Sequence, residues 1–246
     1  MRRPWPERKP MTNVSTDSLR NRCRGISAGI FAAPLGQLEG AVAALQGYGG
    51  KVLHFDVMDG VFVPGLTGGP GFVKALGAGM LRDVHLMVAD PAAHVDGFAD
   101  AGADIITVHA EAPTAEEALL AVRAASSRLG RPILAGLGVM PGTPPEALAP
   151  LLALGPDLIL VLALDPRDGA PADLERAGER LRAIAAMAAP ARPVMAIDGG
   201  VTAATIDTAA ASGADLIVSG SAIFGASDPA AAFGHLSAAM EAAHAG

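Results

Sequence analysis

A chain of 246 residues that is 51% hydrophobic, 17% charged and only 4% aromatic, with a formal net charge of −7, carries enough apolar surface for one large α/β domain or two small ones and too much for an intrinsically disordered protein. The apolar run over residues 158–164 falls far short of the roughly 20 residues that a bilayer crossing needs, so no membrane partner is expected. A single cysteine, Cys23, excludes an internal disulfide framework and suits a reducing, cytoplasmic compartment.

Residues 1–25 hold seven Lys/Arg against Glu7 and Asp17, which leaves 11 basic and 23 acidic side chains, a net of −12, for the remainder. That acidic body should repel nucleic acid. Pro4, Pro6 and Pro10, and the lack of an apolar central run, give residues 1–25 the character of a disordered basic extension rather than a signal peptide, with Met11 as an alternative start. Beyond it, short β-type runs alternate with Ala-rich stretches of helical period. The pattern predicts strands over 26–31, 51–56, 82–87, 105–109, 133–137, 158–162, 194–197 and 216–218. It predicts intervening helices over 35–45, 91–101, 115–127, 145–154, 172–189 and 203–212. Gly102 and Gly213, each followed by Ala-Asp, stand where a helix should stop. Eight strand–helix rounds without a composition break predict an α/β fold, a single-domain (β/α)8 TIM barrel over 26–246, rather than an open doubly wound sheet.

In such a barrel, polar residues at C-terminal strand ends face the site where chemistry occurs. His54 and Asp56 are two apart in Val52-Leu53-His54-Phe55-Asp56-Val57-Met58-Asp59-Gly60, so a strand places both on one face. His85 ends the third strand and Asp198 the seventh. Two imidazoles and two carboxylates suit a divalent metal, with zinc, manganese or ferrous iron all acceptable. Each alone reads more readily as a hydrogen-bonded core or rim residue than as a ligand, yet burying all four without a cation would be costly. His109, in Thr107-Val108-His109-Ala110-Glu111, is read as a substrate contact or an outer partner of the ligands and stays outside the metal set. His94, His235 and His244 fall on helices as packing or surface residues. Gly199-Gly200 after strand seven and Gly220-Ser221 after strand eight could offer backbone N–H groups to a phosphate, or could serve only as tight turns.

The segments 56–64, with Thr67, Gly69 and Pro70 downstream, 83–88, 101–109, 197–201 and 220–224 resemble the ribulose-phosphate 3-epimerase family, over about residues 26–240. The resemblance implies one divalent metal per subunit, zinc first with iron or manganese as alternatives, held by His54, Asp56, His85 and Asp198. It implies that Asp56 and Asp198 also carry protons on opposite faces of a ketose phosphate, inverting C3 through an enediolate. It gives phosphate contacts to Gly199, Gly200, Gly220 and Ser221, an apolar collar to Met58 and Met87, and a homo-oligomeric assembly. The chain departs from the family at several points. Gly29 replaces a serine usual in the first strand, and Ser27 could compensate only from one layer deeper. Met140 stands where an asparagine is usual and Leu162 where a third methionine is common. The segment 165–171 (Asp-Pro-Arg-Asp-Gly-Ala-Pro) replaces a glycine-rich lid that normally donates to phosphate; Arg167 could restore charge there, opposed by Asp168. These changes favour a related sugar phosphate slightly over D-ribulose 5-phosphate. Two alternatives stand beside this reading. One is a non-catalytic sugar-phosphate-binding paralogue. The other is a decarboxylase of the orotidine-monophosphate type, which needs a lysine between carboxylates where this chain has Met58.

Overall fold

The computed structural model describes residues 15–77 and 79–245; residues 1–14, which hold most of the expected basic extension, lie outside them. Eight parallel strands close into a barrel in chain order, β8 pairing back to β1. They are β1 (Gly25–Gly29), β2 (Val52–Met58), β3 (Leu81–Met87), β4 (Ile105–His109), β5 (Leu134–Val139), β6 (Leu158–Leu162), β7 (Val194–Asp198) and β8 (Leu216–Ser219). A helix α1 (Thr16–Arg22) precedes the first strand. The helices that follow the strands are α2 (Leu38–Gly47), α3 (Pro70–Ala75), α4 (Val95–Asp100), α5 (Ala115–Leu129), α6 (Ala149–Ala153), α7 (Leu174–Met187) and α8 (Ile206–Ala211). After β8 come a single turn, α9 (Ser221–Phe224), and the long α10 (Pro229–Ala245). Among the described residues no helix is long and apolar enough to cross a membrane.

The element boundaries differ from the sequence expectation where local chemistry intervenes. β1 stops at Gly29 because Ile30–Ala32 tighten into a 3-10 turn. The helices expected from 35 and 145 both open as 3-10 turns behind a proline, Pro34 and Pro144, whose fixed φ sets the entry. The Gly-x-Asp device is used three times rather than twice. Gly102, Gly155 and Gly213 adopt φ of 93°, 67° and 88°, reversing the chain after α4, α6 and α8. The aspartate that follows each one immediately precedes the next strand and accepts the N–H of the second residue of the strand before it. Asp104 takes Arg82 N–H at 2.9 Å, Asp157 takes Ala135 N–H at 3.0 Å and Asp215 takes Met195 N–H at 3.0 Å.

Alternation along the strands sends one set of side chains outward to the helices and one inward. The interior floor is apolar, built from Val52, Leu81, Ile105, Leu134, Leu158, Val194 and Leu216. Here the structure corrects the expected disordered extension to residue 25: residues 16–22 form α1, capped by Ser15 Oγ, which accepts the Ser18 N–H at 3.1 Å. Leu19 and Cys23, both fully buried, join the floor cluster and close the barrel's lower end. Arg20 reaches Asp157 at 2.5 Å and Arg24 pairs with Asp215, so two strand-start aspartates also anchor this segment.

Candidate metal centre and active site

β2 and β3 run in register, with His54 opposite Asp83 and Asp56 opposite His85. All four side chains are interior, the aspartate of one strand beside the histidine of the other. Asp198 closes the ring from the end of β7. One ligand atom from each of His54, Asp56, His85 and Asp198 lies within 4.8 Å of the others. Asp56 Oδ1 is 3.1 Å from both His54 Nε2 and His85 Nδ1. Asp198 Oδ2 lies 3.7 Å and 3.4 Å from the same two nitrogens. The imidazoles are fully buried, whereas the Asp56 and Asp198 side chains keep 26% and 14% of their surface open to the mouth. Two nitrogen and two oxygen donors converging on one point are the donor set that borderline divalent cations accept.

The electrostatics follow from this crowding. Burial opposes charge on His54, yet the carboxylates of Asp83 and Asp56 push its pKa well above the ordinary value. His85 is likewise raised against burial, by hydrogen bonds to Asp198 and Asp56. Asp56, although partly withdrawn from solvent, is held far below the usual carboxylate range by His54 and His85. Positive charge is wanted between the two carboxylates, and a divalent cation could supply it in place of two protons.

Several neighbours go beyond the residues singled out from sequence. Asp83 Oδ2 sits 2.7 Å from His54 Nδ1 and accepts the Ser27 hydroxyl at 2.9 Å, which leaves His54 Nε2 to face the centre. Ser27 is therefore committed beneath the site and does not replace a hydroxyl at Gly29. The two-residue spacing of Asp83 and His85 shows that both face inward, while the pairing of β2 with β3 decides that Asp83 meets His54. Thr67 Oγ1 accepts Met58 N–H at 2.9 Å and donates to Asp56 O at 2.6 Å, tying the 59–67 loop over the strand end. Asp59 accepts N–H groups from Val61, Phe62 and Ala89; burial raises its pKa, but these donors outweigh it and lower the carboxyl overall. Met58 and Met87 lie in one apolar cluster with Leu162, Phe62 and Met140, so the chain brings a third methionine to the mouth from the end of β5.

The two glycine loops meet beside the carboxylates. A cavity of about 240 Å³ is lined by Gly29, Asp56, Asp198, Gly199, Gly200, Gly220 and Ser221. Gly200, at φ 71°, packs so close to Ala172 that an added Cβ would lie 2.1 Å from it. An added Cβ at Gly29 would meet only the Gly220 backbone, nearest at Cα, 3.4 Å away. In the 165–171 segment the Arg167 guanidinium is bound by Asp165, at 2.8 and 2.6 Å. Asp165 opposes its charge most directly, and Glu111 and Asp168 add to that opposition from further away.

The sequence matches the model of the ribulose-phosphate 3 epimerase family over residues 25–224. It is 38% identical over 214 residues to ribulose-phosphate 3-epimerase of Mycobacterium bovis, covering 84% of this chain and 89% of the relative. It is 36% identical over 203 residues to the Rhodobacter capsulatus enzyme of the same name, covering 81% and 85%. The chloroplastic ribulose-5-phosphate-3-epimerase of Arabidopsis thaliana is 36% identical, with 84% and 74% covered. Among solved structures, 3-hexulose-6-phosphate synthase from Salmonella typhimurium superposes with a TM-score of 0.68 at 19% identity, covering 89% of this chain and all of that one. KGPDC from Streptococcus mutans gives 0.67 at 17% identity, with 89% and 98% covered; both likenesses show a shared barrel. With its closed eight-stranded barrel and its sequence match across most of the described chain, the protein belongs to the ribulose-phosphate 3 epimerase family and is an enzyme of the epimerase type.

Proposed function

We propose that the enzyme inverts C3 of a ketose phosphate, interconverting D-ribulose 5-phosphate and D-xylulose 5-phosphate or a close relative of that pair. The observation that carries this reading is the approach of Asp56, from β2, and Asp198, from β7, to one pair of imidazole nitrogens, with both carboxylates open to the mouth. Epimerisation needs two acid/base groups, because one would return the proton to the face it left. One aspartate takes the C3 proton, leaving an enediolate, and the other delivers a proton from the opposite face. His54, Asp56, His85 and Asp198 would hold one divalent metal, zinc foremost, with iron or manganese as alternatives. Bound there, it would supply positive charge to the substrate oxygens as the enediolate forms. Gly199, Gly200, Gly220 and Ser221 would direct backbone N–H groups at the phosphate, and Met58 and Met87 would shield the intermediate from water. The lone buried thiol favours a cytoplasmic setting. Exposed Val61 and Leu66, at 76% and 83%, favour a homo-oligomer, which light scattering of the purified protein would measure.

The test is deuterium incorporation at C3, read by NMR, for a panel of ketose phosphates with metal-loaded protein. Exchange with at least one member is expected, and Asp198→Asn should reduce it by at least about 100-fold. Absence of exchange across the panel under zinc, manganese and iron would overturn the reading. Exchange confined to a sugar other than ribulose 5-phosphate would assign the changed specificity to Gly29 and the 165–171 segment.

A further inference from the structure

We infer that Glu111 and His109 are positioning residues that hold His85 in the one tautomer able to offer Nδ1 to a cation. The inference rests on the reading of His85 as a metal ligand and extends it to a chain of contacts outside the four-residue cluster. His85 Nε2 lies 2.8 Å from His109 Nε2, and His109 Nδ1 lies 3.0 Å from Glu111 Oε2. Glu111 Oε1 accepts the Met140 backbone N–H at 2.9 Å and the Thr143 hydroxyl. Both imidazoles are fully buried, and both nitrogens of each ring have a partner.

The direction of every hydrogen bond follows from the end of the chain. A backbone N–H can only donate, so Met140 requires an acceptor at Glu111, and an ionised carboxylate accepts at both oxygens. His109 must then carry its proton on Nδ1, which leaves a lone pair on Nε2. That lone pair requires a proton on His85 Nε2, and the lone pair of His85 falls on Nδ1, the atom facing Asp56 and Asp198. The reverse polarity would place N–H on His85 Nδ1 and close that ligand position. Arg180 braces the acceptor end, donating to Thr143 O at 2.5 Å and Met140 O at 3.1 Å. Outer partners that fix the tautomer of a metal-bound histidine commonly contribute about 10- to 100-fold in affinity.

The substitution Glu111→Gln keeps the shape and spoils the polarity, since an amide presents a donor either to His109 Nδ1 or to Met140 N–H. Zinc affinity, measured by competition with a chromophoric chelator, should fall by about 10- to 100-fold. Ring 15N NMR of histidine-labelled protein, recorded above the pH at which metal-free His85 gives up its second proton, should show His109 protonated on Nδ1 and His85 on Nε2 in the wild type, and a loss of that arrangement in the variant. A second variant, His109→Gln, can accept from His85 Nε2–H through its own carbonyl. It should bind zinc within a few-fold of wild type, and adding Glu111→Gln to it should cost little more. Unchanged zinc affinity together with unchanged tautomers in Glu111→Gln would overturn the inference while leaving the metal centre intact. A wild type that shows these tautomers but binds no divalent cation would instead remove the metal reading, and this inference with it.

Discussion

His54 and His85 lie fully buried between carboxylates, and the direction of their titration follows. Their folded pKa values are raised above the ordinary value near 6.5, so the stability they add to metal-free protein is fully present below that pH and is lost as pH rises through the raised values. Asp56 is lowered, and its contribution is lost on the acid side. Bound metal must displace these protons, so the gain in denaturation midpoint on adding zinc should grow from about pH 6 to about pH 8.5. Urea titrations with and without metal would show it, and a gain independent of pH would contradict the raised imidazoles. A second residue has the opposite character. Thr107 Oγ1 is buried with no hydrogen-bond partner among the described residues, opposite Gly136, where an added Cβ would lie 2.3 Å from that hydroxyl. Thr107→Val removes an unsatisfied group at constant shape, so the melting temperature should stay level or rise. Gly136→Ala should cost about 1–3 kcal/mol through overpacking.

At the scale of elements, α1 has the least obvious role. Its sequence, TDSLRNR, is polar apart from one leucine, and no periodic apolar stripe marks it as part of a core. Leu19 nevertheless closes the floor beneath seven strands. Leu19→Ala should therefore destabilise by about 2–5 kcal/mol, as a buried leucine does, while kcat of the remaining folded enzyme stays the same. Thermal melts paired with initial rates would separate the two effects, and a loss below about 1 kcal/mol would mean that the helix merely rests on the barrel. Cys23, beside it, has its thiol pushed up to about 12 by burial and by the Asp83 charge. It should react with a disulfide reagent only as fast as the native protein opens, and rapid labelling at neutral pH would show that α1 lifts readily.

For the whole molecule, the two ends of the barrel divide the tasks. The lower end is apolar floor, strand-start aspartates and the arginines that pair with them; the upper end holds the imidazoles, carboxylates and glycine loops. The division follows from parallel strands, since every strand presents its C-terminal end to the same mouth. Changes at the floor should move stability, and changes at the mouth should move metal binding and turnover.

The barrel was legible because its signals are local. Strands over 105–109 and 158–162 are read from composition and period alone, and Gly-Ala-Asp marks helix stops through glycine's backbone freedom. His54, Asp56, His85 and Asp198 were legible as candidates because strand-end position and two-residue spacing are properties of sequence. Which atoms meet was not legible, because it depends on register between strands. Only the pairing of β2 with β3 sets Asp83 beneath His54, and only the turn after β5 brings Met140 and Thr143 to Glu111. The burial of Leu19 was decided the same way, by closure of a ring whose members are spread along the whole chain, a distance that no sequence period spans.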